Sequence, residues 1–276
     1  MNELYLNKEL TEYLGDHDPF MWVDRMQGRV FRSVEGRRTL RVKLGNQVMF
    51  LKRHRGVGWL EIAKNLLAGR LPVLGAGNEF RAARVLLAAG VSVPEPLGYA
   101  ERGDNPATRD SFILSTAIEP NISLEDLAAT WRETRPPAAD RWRLLSAVAD
   151  LVGALHRNGV NHRDLYICHF LMHPDSYPAT PELTLIDLHR AQVRLSVPRR
   201  WLVKDLGALW FSAADTLPTR RDAFRFIRRY TNASLRDELT DPKRADFWRA
   251  VGARAQLLHS EARRKELPDF ADPFDE

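Results

Sequence analysis

The sequence predicts an α+β fold of two lobes, a β-rich N-terminal lobe and a mostly helical C-terminal lobe. Short strand-like runs broken by glycine turns dominate the first part of the chain, whereas helical periodicity dominates after about residue 139. A stretch that mixes turn residues with a Pro-Pro pair separates the two patterns. We therefore predict lobes of residues 1–117 and 118–276, joined by a hinge near residues 116–121.

The N-terminal lobe is predicted to contain a five-stranded antiparallel sheet. Residues 28–55 hold three alternating runs, with turns at Glu35-Gly36 and at Gly45-Asn46, and two more strands are predicted before residue 118. Helices are predicted at 57–69 and at 77–89, the second with Asn78 as its N-cap. The apolar stripe of the first helix is typical of a core face, but its Trp59 and its basic neighbours also suit a membrane surface.

The C-terminal lobe is predicted to begin with a long helix that ends at Gly159. A loop containing His162-Arg163-Asp164 follows, then a short apolar strand at 183–186 and further helices to about residue 266.

Composition narrows the class of protein. An apolar fraction of 44% and a charged fraction of 28% are typical of a soluble globular protein, and no apolar run approaches the length of a membrane span. The N-terminus lacks the basic-then-apolar pattern of a secretory signal, so we expect a cytoplasmic protein. The net charge of +5 suits an anionic partner of any kind. We see no interleaved aromatic platform and predict no nucleic acid partner.

Four residues occur in the order and local structure that phosphoryl transfer requires. This chemistry needs a lysine for the α- and β-phosphates, a helix carboxylate to fix that lysine, a catalytic aspartate and an aspartate for Mg²⁺. Lys52 ends a strand, Glu79 begins a helix, Asp164 lies in a loop after a helix, and Asp187 ends a short apolar run. The sequence therefore predicts a kinase that uses ATP and Mg²⁺, with Glu61 as an alternative lysine partner.

Six segments together resemble one family of kinases: GRRTLRV (36–42), KRHRGVGWLEIAKNLL (52–67), LPVLGAGNE (71–79), GVNHRDLYICHFL (159–171), LIDLHRAQ (185–192) and KDLGALWFSA (204–213). They resemble the protein-kinase-like superfamily and, within it, the lipopolysaccharide core heptose kinases of Gram-negative bacteria. The resemblance covers roughly residues 18–265. It implies a protein-kinase-like fold and the phosphorylation of a sugar hydroxyl.

The resemblance also assigns roles. It implies that Lys52 holds phosphate, that Glu79 fixes Lys52, that Asp164 is the base and that Asp187 binds metal. It implies that Asp205 braces the loop containing Asp164. The neighbouring His162 and Arg163 are predicted as further residues of the catalytic loop, where they either form its scaffold or, for Arg163, pair with a phosphate or carboxylate.

Two departures from the protein-kinase pattern occur. His169 stands where a protein kinase has asparagine, so His169 is predicted to bind metal beside Asp187 or to orient Asp164. The glycine-rich loop is reduced to Gly36, followed by Arg37 and Arg38, whose charges are predicted to replace missing backbone N–H groups. Adenine is expected against the hinge backbone, which the sequence places at four consecutive residues: Ser115, Thr116, Ala117 and Ile118.

The resemblance places the acceptor at the 4-hydroxyl of heptose I, on the lipid A–core at the inner membrane. Alternatives are a kinase for a second heptose or for Kdo, or a pseudokinase that binds nucleotide or lipopolysaccharide without turnover. A protein kinase fits less well, because Asp205 follows Asp187 after only 18 positions, too few for a long peptide-binding activation segment.

A second basic surface is predicted on the helix around residues 220–230. Four arginines fall within about a 100° sector by helical geometry: Arg221, Arg225, Arg228 and Arg229. This face is either solvated or a dock for anionic lipid, phosphorylated sugar or an acidic protein. Peripheral contact with the inner membrane or with an acidic partner is the expectation.

Overall fold

A computed structural model describes residues 1–34, 36–67, 69, 72–131, 133–216 and 218–266. It divides into two compact units. Unit 1 comprises Met1–Pro120 and Thr184–Arg194, and unit 2 comprises Asn121–Leu183 and Leu195–Glu276. The prediction cut the chain once, whereas in the structure residues 184–194 return to unit 1. The predicted fold class, α+β with a β-rich N-terminal part and a mostly helical C-terminal part, is confirmed.

Unit 1 contains these elements: β1 (Glu3–Leu6), α1 (Lys8–Leu14), α2 (Pro19–Asp24), β2 (Gly28–Val34), β3 (Arg37–Leu44), β4 (Gln47–Arg55), α3 (Gly58–Leu67), α4 (Gly77–Ala88), β5 (Pro96–Arg102) and β6 (Asp110–Thr116). The sheet has the order β1-β5-β6-β4-β3-β2. Its described strands number six, so the predicted five is wrong by one. The missed strand, β1, has only four residues, too few to establish an alternating pattern. Glu35, of the first predicted turn, lies outside the described residues.

The two faces of the sheet are covered by different helices. On one face, Leu51 of β4 and Phe112 of β6 pack with Phe20 of α2 in an apolar core, and all three are buried. Lys52 points to the opposite face because successive side chains alternate along a strand. There Ile113, the residue paired with Lys52, packs with the first turn of α4. Lys52 is therefore surrounded by sheet and by α4.

Helices α3 and α4 differ from their predicted form in one respect each. The N-cap of α4 is Ala76, which makes no side-chain cap, so the prediction of Asn78 as the N-cap is wrong. In α3 only Ile62 is buried, and the rest of the predicted apolar stripe is exposed. The interpretation of that stripe as a core face is therefore wrong.

Unit 2 begins with β7 (Ile122–Ser123), α5 (Leu124–Thr130), α6 (Ala138–Arg157), β8 (Val160–Asn161) and β9 (Phe170–Met172). The chain passes from unit 2 into unit 1 within β10 (Leu183–Leu185), and β11 (Gln192–Val193) ends that return. Unit 2 then continues with α7 (Arg199–Ser212), α8 (Arg220–Thr231), α9 (Leu235–Thr240) and α10 (Pro242–Glu266).

Two glycines let the helices of unit 2 approach closely. A Cβ atom at Gly153 of α6 would lie 3.1 Å from the carbonyl oxygen of Tyr230 in α8. A Cβ atom at Gly207 of α7 would lie 2.6 Å from the Arg254 side chain of α10. The buried residues Leu144, Val148 and Leu155 of α6 lie on the stripe that helical periodicity predicts. In the described part of the chain, no helix combines the length and apolarity needed to cross a bilayer.

Candidate active site

Lys52 and Glu79 form a largely buried ion pair. The Lys52 Nζ atom lies 2.6 Å from Glu79 Oε1, and the two side chains are 14% and 9% exposed. The alternative partner, Glu61, is exposed on α3 and bonds there with Asn65. The structure therefore brings Glu79, and not Glu61, to the predicted phosphate-binding lysine.

The position of Glu79 follows from how the start of α4 meets the sheet. The Ala76 N–H donates to Ser111 Oγ at 3.0 Å, and the Phe80 ring stacks on Tyr99 with centroids 4.3 Å apart. A Cβ atom at Gly75 would lie 2.6 Å from Ser111 Oγ, so a side chain there would push the helix away. The glycine-containing segment before Glu79 thus lets the first turn of α4 lie directly on β5 and β6.

Asp187 carries a carboxylate surrounded by three basic side chains. Its Oδ1 atom lies 2.6 Å from His189 Nδ1, 3.5 Å from Lys52 Nζ and 3.9 Å from Arg37 Nη2. Asp187 has φ 64° and ψ 50°, a left-handed conformation that non-glycine residues rarely adopt. The Asp187 side chain is 25% exposed. These three contacts are made by side chains, each of which can change rotamer when a ligand binds.

Only one of the two predicted loop arginines shares this site. Arg37 pairs with His54 in the β3–β4 register, on the face of the sheet that carries Lys52. Arg38 pairs with Arg53 on the opposite face and is exposed. The structure therefore places Arg37, but not Arg38, beside Asp187, and strand alternation was the signal that could have separated them.

Gly36 closes the turn between β2 and β3. It has φ 71°, and its carbonyl accepts from the Arg55 N–H at 2.8 Å. A Cβ atom at Gly36 would lie 2.5 Å from the Gly56 carbonyl oxygen. Glycine is needed here for both its conformation and its small size.

His54 lies beneath this cluster and was not predicted from the sequence. Burial, together with the positive charges of Arg37 and Lys52, lowers the pKa of His54 to about 3. The imidazole is therefore neutral near pH 7 and adds no further positive charge beside Lys52 and Arg37.

Some backbone N–H groups of the predicted hinge, residues 115–118, already form hydrogen bonds within unit 1. The Thr116 N–H donates to the Glu95 carbonyl at 2.9 Å, and the Ala117 N–H donates to the Val48 carbonyl at 3.1 Å. Ser115 is buried within β6. The N–H groups of Thr116 and Ala117 are therefore already paired within unit 1, and the placement of adenine against this stretch stays a prediction.

In unit 2, the loop that carries Asp164 is braced by Asp205. The Asp205 carboxylate accepts from the His162 N–H at 2.6 Å and from the Arg163 N–H at 2.9 Å, and Asp205 is completely buried. Arg163 has φ 74°, and its guanidinium lies 5.3 Å from the centre of the Trp201 ring. The structure thus places His162 and Arg163 in the support of the loop.

Asp205 belongs to a longer chain of hydrogen bonds that the sequence did not reveal. His156 Nε2 lies 3.3 Å from Asp205 Oδ2, and His156 Nδ1 lies 2.9 Å from the Tyr230 hydroxyl. Burial and the nearby Asp205 carboxylate raise the pKa of Tyr230, so it stays protonated. Helices α6, α7 and α8 each contribute one residue to this chain, which links α8 to the Asp164 loop.

His169 is bonded to the residue that it was predicted to support. The distance from His169 Nδ1 to the Asp164 backbone carbonyl oxygen is 2.8 Å. A carbonyl oxygen only accepts, so Nδ1 is the donor and a neutral His169 keeps its lone pair on Nε2. The ring also stacks on His162, with centroids 5.6 Å apart. This tautomer is compatible with both predicted roles, loop support through Nδ1 and metal binding through Nε2.

The donor chemistry fits Mg²⁺ better at Asp187 than at His169. Mg²⁺ prefers oxygen ligands and commonly takes one or two carboxylates together with waters and substrate phosphates. Asp187 offers a partly exposed carboxylate, whereas His169 offers nitrogen. Among the described residues, no three His, Cys, Asp or Glu side chains are grouped as a metal site.

The predicted arginine face of α8 is largely used within unit 2. The Arg225 guanidinium lies 3.2 Å from the centre of the Trp142 ring, and Arg229 forms a two-pronged ion pair with Asp150. Arg221 and Arg228 are exposed. The basic surface that α8 presents to solvent is therefore smaller than the sequence implied.

Comparison with known proteins decides the family. The model of the lipopolysaccharide kinase (Kdo/WaaP) family matches residues 22–230, about three quarters of the chain. The chain belongs to the lipopolysaccharide kinase (Kdo/WaaP) family. The prediction of a sugar kinase is confirmed by this membership.

Relatives within the Kdo/WaaP family match over nearly their whole length. The lipopolysaccharide core heptose(I) kinase WaaP of Pseudomonas aeruginosa is 46% identical over 263 residues, covering 95% of this chain and 97% of the relative. The protein of the same description from Escherichia coli K12 is 42% identical, covering 95% and 99%. A solved structure described as WaaP in complex with acyl carrier protein is 41% identical, with a TM-score of 0.81 over 93% of this chain and 99% of that one.

Proposed function

We propose that this protein transfers the γ-phosphoryl group of ATP to heptose I of the lipopolysaccharide core, at its 4-hydroxyl. The observation that carries the proposal is the cluster of Lys52, Glu79 and Asp187 in unit 1, which has the residue types that phosphoryl transfer needs. Heptose I is supported by relatives described as heptose(I) kinases. The 4-hydroxyl rests on the sequence resemblance.

Unit 1 supplies the groups that bind phosphate. Lys52, oriented by Glu79, and Arg37 would turn from Asp187 toward the phosphates of ATP, because these carry more negative charge than one carboxylate. Asp187 would then hold Mg²⁺, which neutralises charge on the transferred phosphoryl group when bound. In the structure, Lys52 Nζ and Arg37 Nη2 both lie within 4 Å of Asp187 Oδ1, so a short rotation of either side chain would make this exchange.

Unit 2 supplies the base. Asp164 would orient the sugar hydroxyl and accept its proton as the new O–P bond forms and the bond to ADP breaks. Asp205 fixes the Asp164 loop through two backbone N–H groups, and His169 fixes the Asp164 carbonyl. Since the transition state is loose, most of the rate comes from such positioning.

The test uses purified protein, ATP, Mg²⁺ and dephosphorylated lipopolysaccharide core. We expect one new phosphate, located on heptose I by mass spectrometry and on the 4-hydroxyl by NMR. Asp164→Ala is expected to abolish turnover without unfolding, whereas Asp175→Ala, at an exposed position of unit 2, is expected to remain active.

Other outcomes select the alternatives. Phosphate on the second heptose or on Kdo would indicate a different core-sugar kinase, and nucleotide binding without turnover would indicate a pseudokinase. An active Asp164→Ala enzyme would contradict the assigned base.

We also propose acyl carrier protein as a partner, bound in part by the exposed arginines of α8. Support comes from the related structure described as a complex with acyl carrier protein, which is acidic, and from the exposed Arg221 and Arg228. Arg221→Glu/Arg228→Glu is expected to weaken binding of acyl carrier protein in calorimetry. The control, Arg236→Glu/Arg249→Glu, changes the same charge at exposed positions outside α8. If both variants weaken the binding of acyl carrier protein equally, α8 is not its binding site.

The proposed acceptor places the protein in the cytoplasm, at the inner face of the inner membrane. Cell fractionation is expected to recover the protein partly with membranes, and high salt is expected to lower that fraction because contacts between basic side chains and anionic lipid are screened.

A further inference from the structure

Helix α3 presents most of its apolar side chains to solvent. Trp59, Leu60, Leu66 and Leu67 are 61%, 86%, 55% and 91% exposed, whereas Ile62 alone among the apolar residues of the helix is buried. Continuous apolar surface of this kind is unusual on a soluble monomer and marks an interaction site.

The exposed side chains form one face. At 100° per residue, Trp59, Leu60, Leu66 and Leu67 fall within about a 120° arc of the helix. The polar residues Glu61 and Asn65 lie on the other side and bond to each other at 2.8 Å. α3 is therefore amphipathic, but its apolar arc faces away from the unit 1 core.

Lys64 borders the apolar arc. It lies next to Leu60 in the helical projection, and its side chain is 78% exposed. Its contact with Glu61, at 3.9 Å, is an exposed pair and therefore weak. Lys64 is thus able to place its ammonium group outside the apolar surface while its stem covers part of it.

The positive excess of the whole chain comes from the segment that contains α3. Residues 28–67 contain ten Lys or Arg and two Glu, and the chain as a whole contains 41 basic and 36 acidic residues. The remainder therefore has 31 basic and 34 acidic residues, a net negative charge. Arg29, Arg32 and Arg38 of this segment are exposed, while Arg55 is paired with Asp24 at 3.0 Å.

We propose that α3 is an interfacial helix that inserts its apolar arc into an anionic lipid bilayer. Apolar side chains with a tryptophan on one face and a basic residue at the border are the pattern of helices that lie in the plane of a membrane surface, and the net positive charge of residues 28–67 complements anionic lipid. A bilayer provides hydrocarbon for the leucines and phosphate for the basic groups. The reason for such membrane binding rests on the proposed function, because the proposed acceptor is itself anchored in lipid.

The test is co-flotation of the purified full chain with vesicles of phosphatidylethanolamine and phosphatidylglycerol, and with neutral phosphatidylcholine vesicles. The wild type is expected to float with the anionic vesicles and much less with the neutral ones. Leu60→Glu/Leu67→Glu is expected to weaken anionic binding at least about tenfold, since both leucines leave the hydrocarbon and two negative charges are added.

A matched control variant distinguishes an effect of the position on α3 from an effect of the added negative charge. Leu195→Glu/Leu257→Glu also replaces two exposed leucines, which are 106% and 46% exposed, with the same change of charge. We expect this variant to bind nearly as the wild type does. Both variants are expected to keep the wild-type melting temperature, because all four leucines are exposed.

Activity assays distinguish this proposal from the proposed function. On a delipidated core saccharide, Leu60→Glu/Leu67→Glu is expected to match the wild type, and on vesicle-embedded acceptor it is expected to show a raised KM at unchanged kcat. A wild type inactive on both acceptors would contradict the kinase assignment, while flotation would still test the helix.

Four outcomes would overturn the membrane assignment. They are no flotation of the wild type, equal loss in both variants, conversion of a dimer into a monomer by the α3 substitutions, and loss of acyl carrier protein binding with vesicle binding unchanged. The last two would assign the arc to a second copy of the chain or to a protein partner.

Discussion

Asp187 in unit 1 and Asp205 in unit 2 carry the same carboxylate in opposite settings. Asp187 contacts the basic side chains of Lys52, Arg37 and His189 and remains partly exposed. Asp205 accepts from two backbone N–H groups and is completely buried.

The difference indicates what each carboxylate can do. The basic side chains around Asp187 can change rotamer, whereas the backbone N–H groups that donate to Asp205 can move only if the loop moves. Asp187 is therefore suited to exchange its ligands, and Asp205 is suited to hold a shape. The following substitutions are chosen to test this contrast.

The largest effect is expected from Asp187→Asn. We expect kcat to fall by at least about a thousandfold, because the proposed metal ligand loses its negative charge. The free energy of unfolding should change by less than about 1 kcal/mol, since partly exposed ion pairs contribute little. Steady-state kinetics and urea unfolding measure both quantities, and a large loss of stability with activity retained would reverse the contrast.

Asp205→Asn is expected to lower stability instead. The amide has one acceptor oxygen and directs an NH₂ group at a backbone donor, so a buried N–H loses its partner. We expect the free energy of unfolding to fall by about 3 kcal/mol, measured by urea unfolding. A variant as stable as the wild type would show that the brace is dispensable.

Lys52→Met tests the mobile part of the unit 1 cluster. Losing a phosphate contact while leaving Glu79 buried without its partner is expected to reduce kcat/KM for ATP about a hundredfold. Lys64→Met, at an exposed position on α3, serves as the control for removal of a lysine. Unchanged ATP kinetics in Lys52→Met would remove the lysine from the site.

The buried His54 predicts a pH dependence of stability. The pKa of His54 is about 3 when folded and 6.5 in its ordinary state, so unfolding takes up a proton between these pH values. Stability from this residue is complete above about pH 6.5 and falls as the pH decreases toward 3.

Replacing His54 should remove that dependence. Between pH 7 and pH 5, the free energy of unfolding of His54→Gln is expected to fall by about 2 kcal/mol less than that of the wild type. The exposed His17→Gln is the control and should follow the wild type. Parallel curves for wild type and His54→Gln would contradict the neutral buried imidazole.

The smallest effect is expected from Tyr230→Phe, at the far end of the Asp205 chain. Loss of the bond to His156 should cost about 1 kcal/mol of stability. A small fall in kcat at unchanged KM would show that α8 also positions the Asp164 loop. An unchanged kcat would restrict Tyr230 to packing.

Local patterns in the sequence were sufficient to predict the fold class, most strands and helices, and the candidate residues Lys52, Glu79, Asp164 and Asp187. These depend on local periodicity and on neighbouring residues, which a linear pattern records. Strand alternation also indicates that Arg37 and Arg38 point to opposite faces of the sheet, although the prediction assigned both to the phosphate site.

The folded structure shows which groups from distant parts of the chain meet. It selected Glu79 over Glu61, joined Asp205 to His156 and Tyr230, and left the apolar face of α3 exposed. Periodicity shows that a helix has an apolar face. It does not show what that face contacts, because burial depends on packing between segments distant in sequence.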